Sequence, residues 1–364
     1  MSGPFMTHLL QVGLLVLLAP PNAQLLGLPP PPFPSSEHII PMTPAAAATP
    51  AMLGGAVEHW ARVAIAPVPA FDIDTHDPVT EDIYISAAAH DNAKWDPYIW
   101  DRIVALWKEE DLGAAGERGG EGPYFIDVGA NIGFFSLMAA SLGFHVIAFE
   151  PMPRNAQRLA RSIQRNSGSG GGGFDPDQVV LYRKAVSDIH GERVALRETD
   201  AHNYGNGQVQ SSGRVDGVEY AETVTLNSVL LFSSSATTTP VDAFIVKIDV
   251  EGLETNVLAG AREWICSRRV QHVMMEFSDA TRANRRAPAT DMFVFMRRAG
   301  YSVSDVSVEA SEDGLDYNRL VAGDYAGVPN NLLFSLAGAR PTCDDKGIGG
   351  GSLARSDDTA TKEG

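Results

Sequence analysis

Short apolar runs alternate with amphipathic stretches through the middle of the chain, and this alternation predicts an α/β fold. The apolar runs have the length of buried strands, and apolar residues between them recur at helical spacing. Strands are predicted at Tyr124–Val128, His145–Phe149, Val179–Arg183, Ala243–Asp249, Val270–Phe277, Tyr301–Val306 and Asn331–Leu336. Helices are predicted at Phe134–Leu142, Arg154–Arg165, Leu253–Ala261 and Thr290–Ala299. We expect a mostly parallel seven-stranded sheet with helices on both faces and an antiparallel edge strand, because no long helix separates the last two strands.

Residues 71–122 are predicted to form a helical extension that packs on the main domain, which we place at residues 123–339. Within the extension, Asp96 to Glu110 carry apolar side chains at helical spacing. Aromatic residues in such a pattern pack in the core more often than they line a cofactor site. We therefore interpret this helix as part of the core.

The first residues have the composition of a targeting segment. The apolar run from Leu9 to Ala19 is shorter than the ~20 residues of a spanning helix but fits the apolar core of a signal peptide. Residues 1–28 are predicted to be a signal peptide or a short anchor, through which the chain could associate with a membrane. This favours the secretory pathway, with the cytoplasm or a plastid as alternatives. Residues 29–70 and 340–364 are predicted to be a disordered Pro/Ala-rich linker and a disordered tail.

Charge and cysteine content exclude two classes of site. The 364 residues carry a formal net charge of −17, which opposes sequence-independent binding to nucleic acid, since that needs a basic surface. Two cysteines, Cys266 and Cys343, are too few for a zinc framework. They could form one disulfide in an oxidising compartment. No nucleic-acid partner is expected, and the sequence carries no signal for an oligomeric state.

The first chemical motif runs from Asp127 to Gly133 (DVGANIG), between a predicted strand and a predicted helix. Gly129 allows a sharp turn and a close approach of the backbone to a ligand. In open α/β sheets ligands bind at the carboxyl ends of strands, where this loop lies. The carboxylate of Asp127 suits a cationic ligand better than a pyrophosphate. The motif therefore predicts a binding site for a positively charged cofactor.

The same motif departs from the dinucleotide fingerprint G-x-G-x-x-G. Asn131 stands where the second glycine is required, and Gly133 comes one residue too early. Glu150 follows the next predicted strand, where a carboxylate can accept hydrogen bonds from both hydroxyls of a ribose. The pairing of the two features favours a nucleoside-containing cofactor other than a dinucleotide.

Four sequence blocks together resemble the FkbM-type methyltransferase family. They read FIDVGANIGFFSLMAASLG, VIAFEPMPRNAQRL, KAVSDIHGE and VKIDVEGLETNVLAGA, and the resemblance covers about residues 124–334. It implies a Rossmann-like class I methyltransferase fold, S-adenosyl-L-methionine as methyl donor, and usually methylation of a hydroxyl oxygen. The acceptor would be a sugar, glycan or lipid-linked molecule. A Gly-rich insert at residues 167–173 and a polar stretch at residues 203–218 depart from the family pattern.

The resemblance also implies which residues contact the cofactor. The loop residues would flank the methionine part, Glu150 would hold the ribose, and the segment from Ala185 to Asp188 would lie near the adenine. The predicted cofactor-binding residues are Asp127, Gly129, Ala130, Asn131, Gly133, Glu150, Ala185 and Ser187.

A second cluster, Lys247 to Glu254 (KIDVEGLE), ends a neighbouring predicted strand. Transfer of a methyl group to a hydroxyl needs alignment and a proton acceptor. We predict Asp249 or Glu276 as the general base, with Glu251 able to converge on the same place and Lys247 orienting the acceptor. Lys247 could instead be only an ion-pair partner of Asp249, and Glu254 only a helix-starting carboxylate.

Three other interpretations are compatible with parts of the sequence. Asp249, Glu251, Glu276 and His272 carry donors that suit magnesium, but His272 lies in an apolar strand and is interpreted as a packed side chain, so no metal site is predicted. A non-catalytic cofactor-binding scaffold of the same fold is the main alternative, because a fold does not determine chemistry. An NAD-dependent oxidoreductase is the less favoured one, because of the glycine spacing.

Overall fold

A seven-stranded sheet forms the centre of the computed structural model, which describes residues 58–109, 122–167, 173–198, 207–210, 219–231, 241–267, 270–307, 314–338 and 343. The strands are β1 (His59–Val63), β2 (Phe71–Thr75), β3 (Tyr124–Val128), β4 (His145–Phe149), β5 (Val179–Tyr182), β6 (Ala185–Val186), β7 (Arg193–Glu198), β8 (Gly207–Gln210), β9 (Glu219–Val224), β10 (Ala243–Ile248), β11 (Val270–Glu276), β12 (Tyr301–Asp305) and β13 (Asn331–Leu336). The helices are α1 (Ile85–His90), α2 (Pro97–Glu109), α3 (Phe134–Ser141), α4 (Pro153–Asn166), α5 (Leu226–Leu230), α6 (Glu254–Ala259), α7 (Arg262–Ser267), α8 (Asp279–Arg282), α9 (Ala289–Arg298) and α10 (Tyr317–Val321).

The large sheet has the strand order β12-β13-β11-β10-β3-β4-β5, and all its strands except β13 run parallel. The predicted Rossmann-like α/β fold is confirmed. The last two strands pair antiparallel at one edge of the sheet, as predicted; the antiparallel strand β13 lies one position inside that edge, which β12 forms. The crossover through α9 returns the chain parallel to β11 but one position further out, and β13 fills the gap.

Alternate residues of the central strands face opposite sides of the sheet and belong to two separate cores. Phe125 packs in the core that contains α3, α4 and the extension. Its neighbours Ile126 and Val128 pack in the other core, with α6, α7 and α9. The period of two thus buries both faces of the sheet. It also points Asp127 of β3 and Lys247 of β10, which are register partners, toward the side of α3.

The extension contains more strand than the sequence predicts. The antiparallel pair β1–β2 precedes α1 and α2, so β1 lies inside the segment that was predicted as a disordered linker, and β2 inside the predicted helical extension. The Pro- and Ala-rich composition of residues 29–70 conceals the short run His59–Val63, whose residues Ala61 and Val63 are buried. Pairing with β2 satisfies the backbone of this run.

A smaller sheet with the order β6-β9-β7-β8 was not predicted. Part of it, β8, falls within the polar stretch at residues 203–218.

A disulfide joins Cys266 of α7 to Cys343 after β13. In the part of the chain that the structure describes, no helix is long and apolar enough to span a membrane. The predicted signal or anchor segment, most of the predicted linker, the Gly-rich insert apart from Ser167 and Gly173, and the tail apart from Cys343 lie outside the described residues.

Candidate active site

The loop that follows β3 is built around a glycine at a place where a side chain does not fit. Gly129 has a φ of +83°, and a Cβ placed on it would lie 1.8 Å from the backbone oxygen of Asp249. The amides of Gly129 and Ala130 both donate to the carbonyl of Phe149, at 3.0 Å each. The absent side chain thus lets the loop pack directly on the end of β10, which brings the two sequence motifs together.

Asn131 and Glu150 complete this loop. Asn131 has a φ of 55°, and its amide donates to one carboxylate oxygen of Glu150 at 2.9 Å. The other oxygen accepts from the amide of Met152 at 2.8 Å. Burial raises the pKa of Glu150 to about 7, although these two amide bonds lower it. Each oxygen keeps one lone pair, so this carboxylate can still accept hydrogen bonds from a ligand.

Asp127 is fully buried beneath the loop. Its Oδ2 accepts from the hydroxyl of Ser136 at 2.7 Å, while its Oδ1 accepts no hydrogen bond among the described residues and lies 3.6 Å from Nζ of Lys247. Burial raises the pKa of Asp127, and the ammonium of Lys247 opposes that effect. A buried carboxylate oxygen without a donor marks a position where a ligand's donor or positive charge would be stabilised.

Lys247 joins the two motifs electrostatically. Its ammonium lies 3.4 Å from Oδ2 of Asp249, close to Asp127, and 5.4 Å from the ring centre of Phe135. Burial alone lowers the pKa of Lys247, but the carboxylates of Asp249 and Asp127 outweigh it, and the net pKa is raised. Lys247 therefore stays charged and fixes both carboxylates.

The segment after β10 turns sharply, and Glu254 holds that turn. The carboxylate of Glu254 accepts from the amides of Val250 at 2.9 Å and Gly252 at 3.1 Å, and its other oxygen accepts from the hydroxyl of Thr281 at 2.6 Å. Burial raises the pKa of Glu254, against those hydrogen bonds. Glu254 thus shapes the loop. Because its side chain is fully buried, it does not face a ligand.

A single cavity brings together residues from both motifs. It is lined by the loop residues Gly129, Ala130 and Asn131, by Glu150 and Ala185, and by Lys247, Asp249 and Glu251. Asp127, Gly133, Ser187 and Glu276 do not line it. Gly133 instead packs against Leu159, since a Cβ there would lie 2.2 Å from the Cδ1 of that leucine. The hydroxyl of Ser187 donates to Asp188 at 3.0 Å.

Glu276 lies at the end of β11, beyond the cavity wall. Its Oε2 is buried without a hydrogen-bond partner among the described residues. Burial, reinforced by the charges of Asp249, Glu254 and Glu251, raises the pKa of Glu276 to about 8. Burial and the charge of Asp249 also raise the pKa of Asp96. These carboxyl groups make the end of the sheet strongly acidic.

The cavity wall includes two residues of the extension that no sequence motif predicts. Ile85 of α1 and Trp95, just before α2, come from the extension and line the cavity. Trp95 packs edge-to-face on Tyr84, with 6.2 Å between ring centres. No local pattern marks either residue, because they approach the cavity only through packing of the extension on the sheet.

His272, which was considered as a metal ligand, is packed as predicted. Its ring lies edge-to-face on Phe244 at 5.2 Å, and it is 7% exposed. Within the described ranges, no three His, Cys, Asp or Glu side chains are placed to hold a metal ion.

Comparisons with known proteins place this architecture in a family context. Residues 127–303 match the family model of the methyltransferase FkbM domain, which confirms the resemblance predicted from the sequence. A crystal structure of methyltransferase FkbM from Methylobacillus flagellatus KT is 16% identical, with a TM-score of 0.33, over 58% of this chain and 43% of that one. Precorrin-6y C5,15-methyltransferase from Geobacter metallireducens GS-15 is 12% identical, with a TM-score of 0.27, over 62% of this chain and 84% of that one. This chain spans under half of the length of the first structure, and no curated protein matches the sequence.

Proposed function

We propose that this chain, whose residues 127–303 match the family model of the methyltransferase FkbM domain, transfers a methyl group from S-adenosyl-L-methionine to a hydroxyl oxygen. One observation carries the proposal. The cavity lies between the Gly129 loop and the end of β10, and its wall combines Glu150 with Asp249 and Glu251. The three carboxylates outnumber the two ammonium groups of the wall, those of Lys184 and Lys247, and this acidic excess favours a sulfonium cation over a dinucleotide pyrophosphate.

The residues present fit the proposed cofactor. Asn131, in the cavity wall, would face its methionine part, and the free lone pairs of Glu150 would accept hydrogen bonds from the ribose hydroxyls. Asp127, buried behind the wall, would act on the cofactor only through the charge of Lys247. Ala185, in the cavity wall, would face the adenine. The absence of a Cβ at Gly129 leaves room for close backbone approach. When bound, the cofactor supplies an electrophilic methyl group.

The acceptor proposed is a hydroxyl of a sugar, glycan or lipid-linked molecule. This rests on the family resemblance and on the predicted targeting segment, and the disulfide between Cys266 and Cys343 supports an oxidising compartment such as the secretory pathway. Methyl transfer to oxygen is an in-line displacement, so the protein must hold the acceptor oxygen opposite the leaving sulfur. Lys247, fixed by Asp127 and Asp249, would orient the acceptor oxygen.

Calorimetric titration of the full chain tests the cofactor part. S-adenosylmethionine and S-adenosylhomocysteine should bind to the wild type at micromolar concentration, and NAD should not. Glu150→Ala should weaken both adenosyl ligands at least tenfold, since it removes a charged acceptor of two hydrogen bonds. Glu263→Ala, at an exposed position of α7, is the matched control and should bind like the wild type. A folded wild-type protein that binds neither adenosyl ligand would contradict the proposal and favour a non-catalytic scaffold.

A further inference from the structure

Glu251 adopts a backbone conformation that a residue with a side chain rarely takes. Its φ is 57°, and Gly252 follows with a φ of 100°. A left-handed conformation costs a non-glycine residue about 1–2 kcal/mol. Such a residue persists only when its surroundings determine its position, and such residues concentrate at functional sites.

The surroundings of Glu251 meet that condition. Glu254 binds the amides on either side of it, those of Val250 and Gly252. Asn284 donates to the carbonyl of Gly252 at 3.1 Å. A Cβ on Gly252 would lie 2.7 Å from the Cβ of Ala280, so α8 packs directly on the turn. Three residues, Glu254, Ala280 and Asn284, therefore hold the strained turn, and Glu251 itself takes no part in holding it.

The side chain of Glu251 has nothing to bind in the described part of the chain. It lines the cofactor cavity and makes no hydrogen bond or ion pair with any described residue. Asp249, the neighbouring carboxylate in the cavity wall, is already paired with Lys247 at 3.4 Å. Protonation of Asp249 would give up that ion pair, and Glu276 lies outside the cavity wall. Glu251 is thus the carboxylate in the wall that can take a proton without loss of a contact.

We infer that Glu251 is the proton acceptor for methyl transfer, a deepening that rests on the proposed function. The acceptor oxygen forms a bond to the methyl carbon as the bond from that carbon to sulfur breaks. The electron pair of the broken bond stays on sulfur, and the hydroxyl proton moves to the Glu251 carboxylate. The products are the methyl ether, neutral S-adenosylhomocysteine and protonated Glu251, which returns its proton to solvent. Asp249 and Lys247 position the acceptor.

The charges around Glu251 match this role. Burial, together with the carboxylates of Asp249 and Glu254, raises the pKa of Glu251 to about 7, and Lys247 opposes the rise. The charge of Glu251 in turn contributes to the raised pKa of Glu276 of β11. A base with a pKa near the working pH accepts a proton most effectively during turnover.

The test needs no knowledge of the acceptor. S-adenosylmethionine carries a positive sulfonium and S-adenosylhomocysteine a neutral sulfur, while both carry the same ribose, adenine and amino acid. If Glu251 faces the sulfonium, ionisation of Glu251 strengthens binding of the first ligand only. We expect the ratio of Kd for S-adenosylhomocysteine to Kd for S-adenosylmethionine to rise at least fivefold from pH 6 to pH 8 in the wild-type full chain, as for an opposite charge about 4–6 Å away.

The variants decide between carboxylates. Glu251→Gln keeps the size of the residue and should make the ratio independent of pH, whereas the exposed control Glu263→Gln should leave the dependence unchanged. Asp249→Asn should keep a dependence whose midpoint lies at lower pH, because the charge of Asp249 contributes to the raised pKa of Glu251. A pH-independent ratio in a wild type that binds both ligands would overturn the inference and leave the proposed function intact. Loss of the dependence in Asp249→Asn alone would assign the role of proton acceptor to Asp249.

Turnover gives a second test. A kcat of Glu251→Gln above a tenth of the wild-type value with any acceptor would also overturn the inference, since a lost base costs about 10²-fold or more. A wild-type protein that binds neither ligand would instead contradict the proposed function.

Discussion

Oδ1 of Asp74 lies 2.9 Å from an Nη atom of Arg158, and both side chains are almost completely buried. Asp74 also pairs with Arg161 one turn away. The contact ties β2 of the extension to α4, the helix that begins just after Glu150. Desolvation outweighs the pairing for both partners, since burial raises the pKa of Asp74 and lowers the pKa of Arg158. The extension is therefore attached through a buried ion pair, and removal of either partner would leave the other charge buried and uncompensated.

Removal of one charge from this contact should destabilise the chain. Asp74→Asn leaves Arg158 and Arg161 buried without a counter-charge, and the free energy of unfolding should fall by about 3–5 kcal/mol. The matched control is Asp72→Asn on the same strand, whose partners Arg62 and Arg165 are about half exposed. It should cost at most about 1 kcal/mol. Urea unfolding curves of the two variants and the wild type measure the difference, and equal losses would refute the assignment of the contact.

Two glycines of the same left-handed conformation should respond differently to alanine. Gly129→Ala places a Cβ 1.8 Å from a backbone oxygen of Asp249, whereas a Cβ on Gly143 meets no atom within 4 Å. Gly143→Ala should therefore lose only the conformational cost of about 1–2 kcal/mol. Gly129→Ala should lose more stability than that and should bind S-adenosylhomocysteine at least tenfold more weakly. Thermal unfolding and calorimetry together check this pair, and a Gly129→Ala variant as stable as Gly143→Ala would speak against the tight loop.

The raised carboxyl pKa values predict a specific pH dependence of stability. The unperturbed pKa of a glutamate side chain is 4.5, and burial raises the pKa of Glu150, Glu251 and Glu276 to about 7, 7 and 8 in the folded chain. Between those values the folded chain holds more protons than the unfolded chain, so these groups lower stability as pH rises from about 5 to 8. Glu276→Gln removes one such ionisation. The Tm of this variant minus the Tm of the wild type should therefore increase by several degrees from pH 5.5 to pH 8. A difference that stays constant across this range would contradict the raised pKa of Glu276.

The disulfide predicts a dependence on redox state. It closes a separation of 77 residues, and its loss should lower the free energy of unfolding by about 2–4 kcal/mol. Cys343→Ser and reduction of the wild type should have the same effect, while reduction should leave Cys343→Ser unchanged. Thiol titration of the denatured, unreduced protein should detect no free thiol, and detection of two would show that the pair is open.

Strain at Glu251 can be separated from its chemistry. Glu251→Ala keeps the left-handed cost, whereas Glu251→Gly removes it. The glycine variant should be more stable than the alanine variant by about 1 kcal/mol, while both should lack the pH-dependent ligand ratio. Chemical denaturation of the two variants measures this difference. Equal stability would mean that the turn imposes no cost on a side chain.

The sequence predicted the elements whose side-chain pattern is strong. The strands of the large sheet read as apolar runs because both their faces are buried, and Tyr124–Val128 and Asn331–Leu336 were placed at their observed boundaries. The pair β1–β2 and the small sheet were missed. Their strands are short, and β1 is interrupted by exposed residues such as Arg62, so pairing with a distant partner, not local pattern, determines them.

The candidate site divides in the same way. Gly129, Glu150 and Asp249 follow strand ends, and strand ends of a parallel sheet meet at one edge whatever the surrounding loops do. The conformation of Glu251 depends on contacts made by Thr281 and Asn284 to the turn around it, and Trp95 reaches the cavity wall only because the extension packs on the sheet. No window of local sequence contains that information.

Because Trp95 and residues far from it in the sequence form one cavity wall, the cavity can form only late in synthesis of the chain. Leu253, on the same wall, leaves the ribosome more than 150 residues after Trp95, and Asp74 must wait for Arg158. The extension emerges before the strands of the sheet on which it packs, so the apolar side chains of β2 and α2 should stay exposed until those strands are synthesised. The cavity should therefore be complete only after β10 and the turn that follows it, and a nascent chain arrested before β10 should not bind S-adenosylhomocysteine.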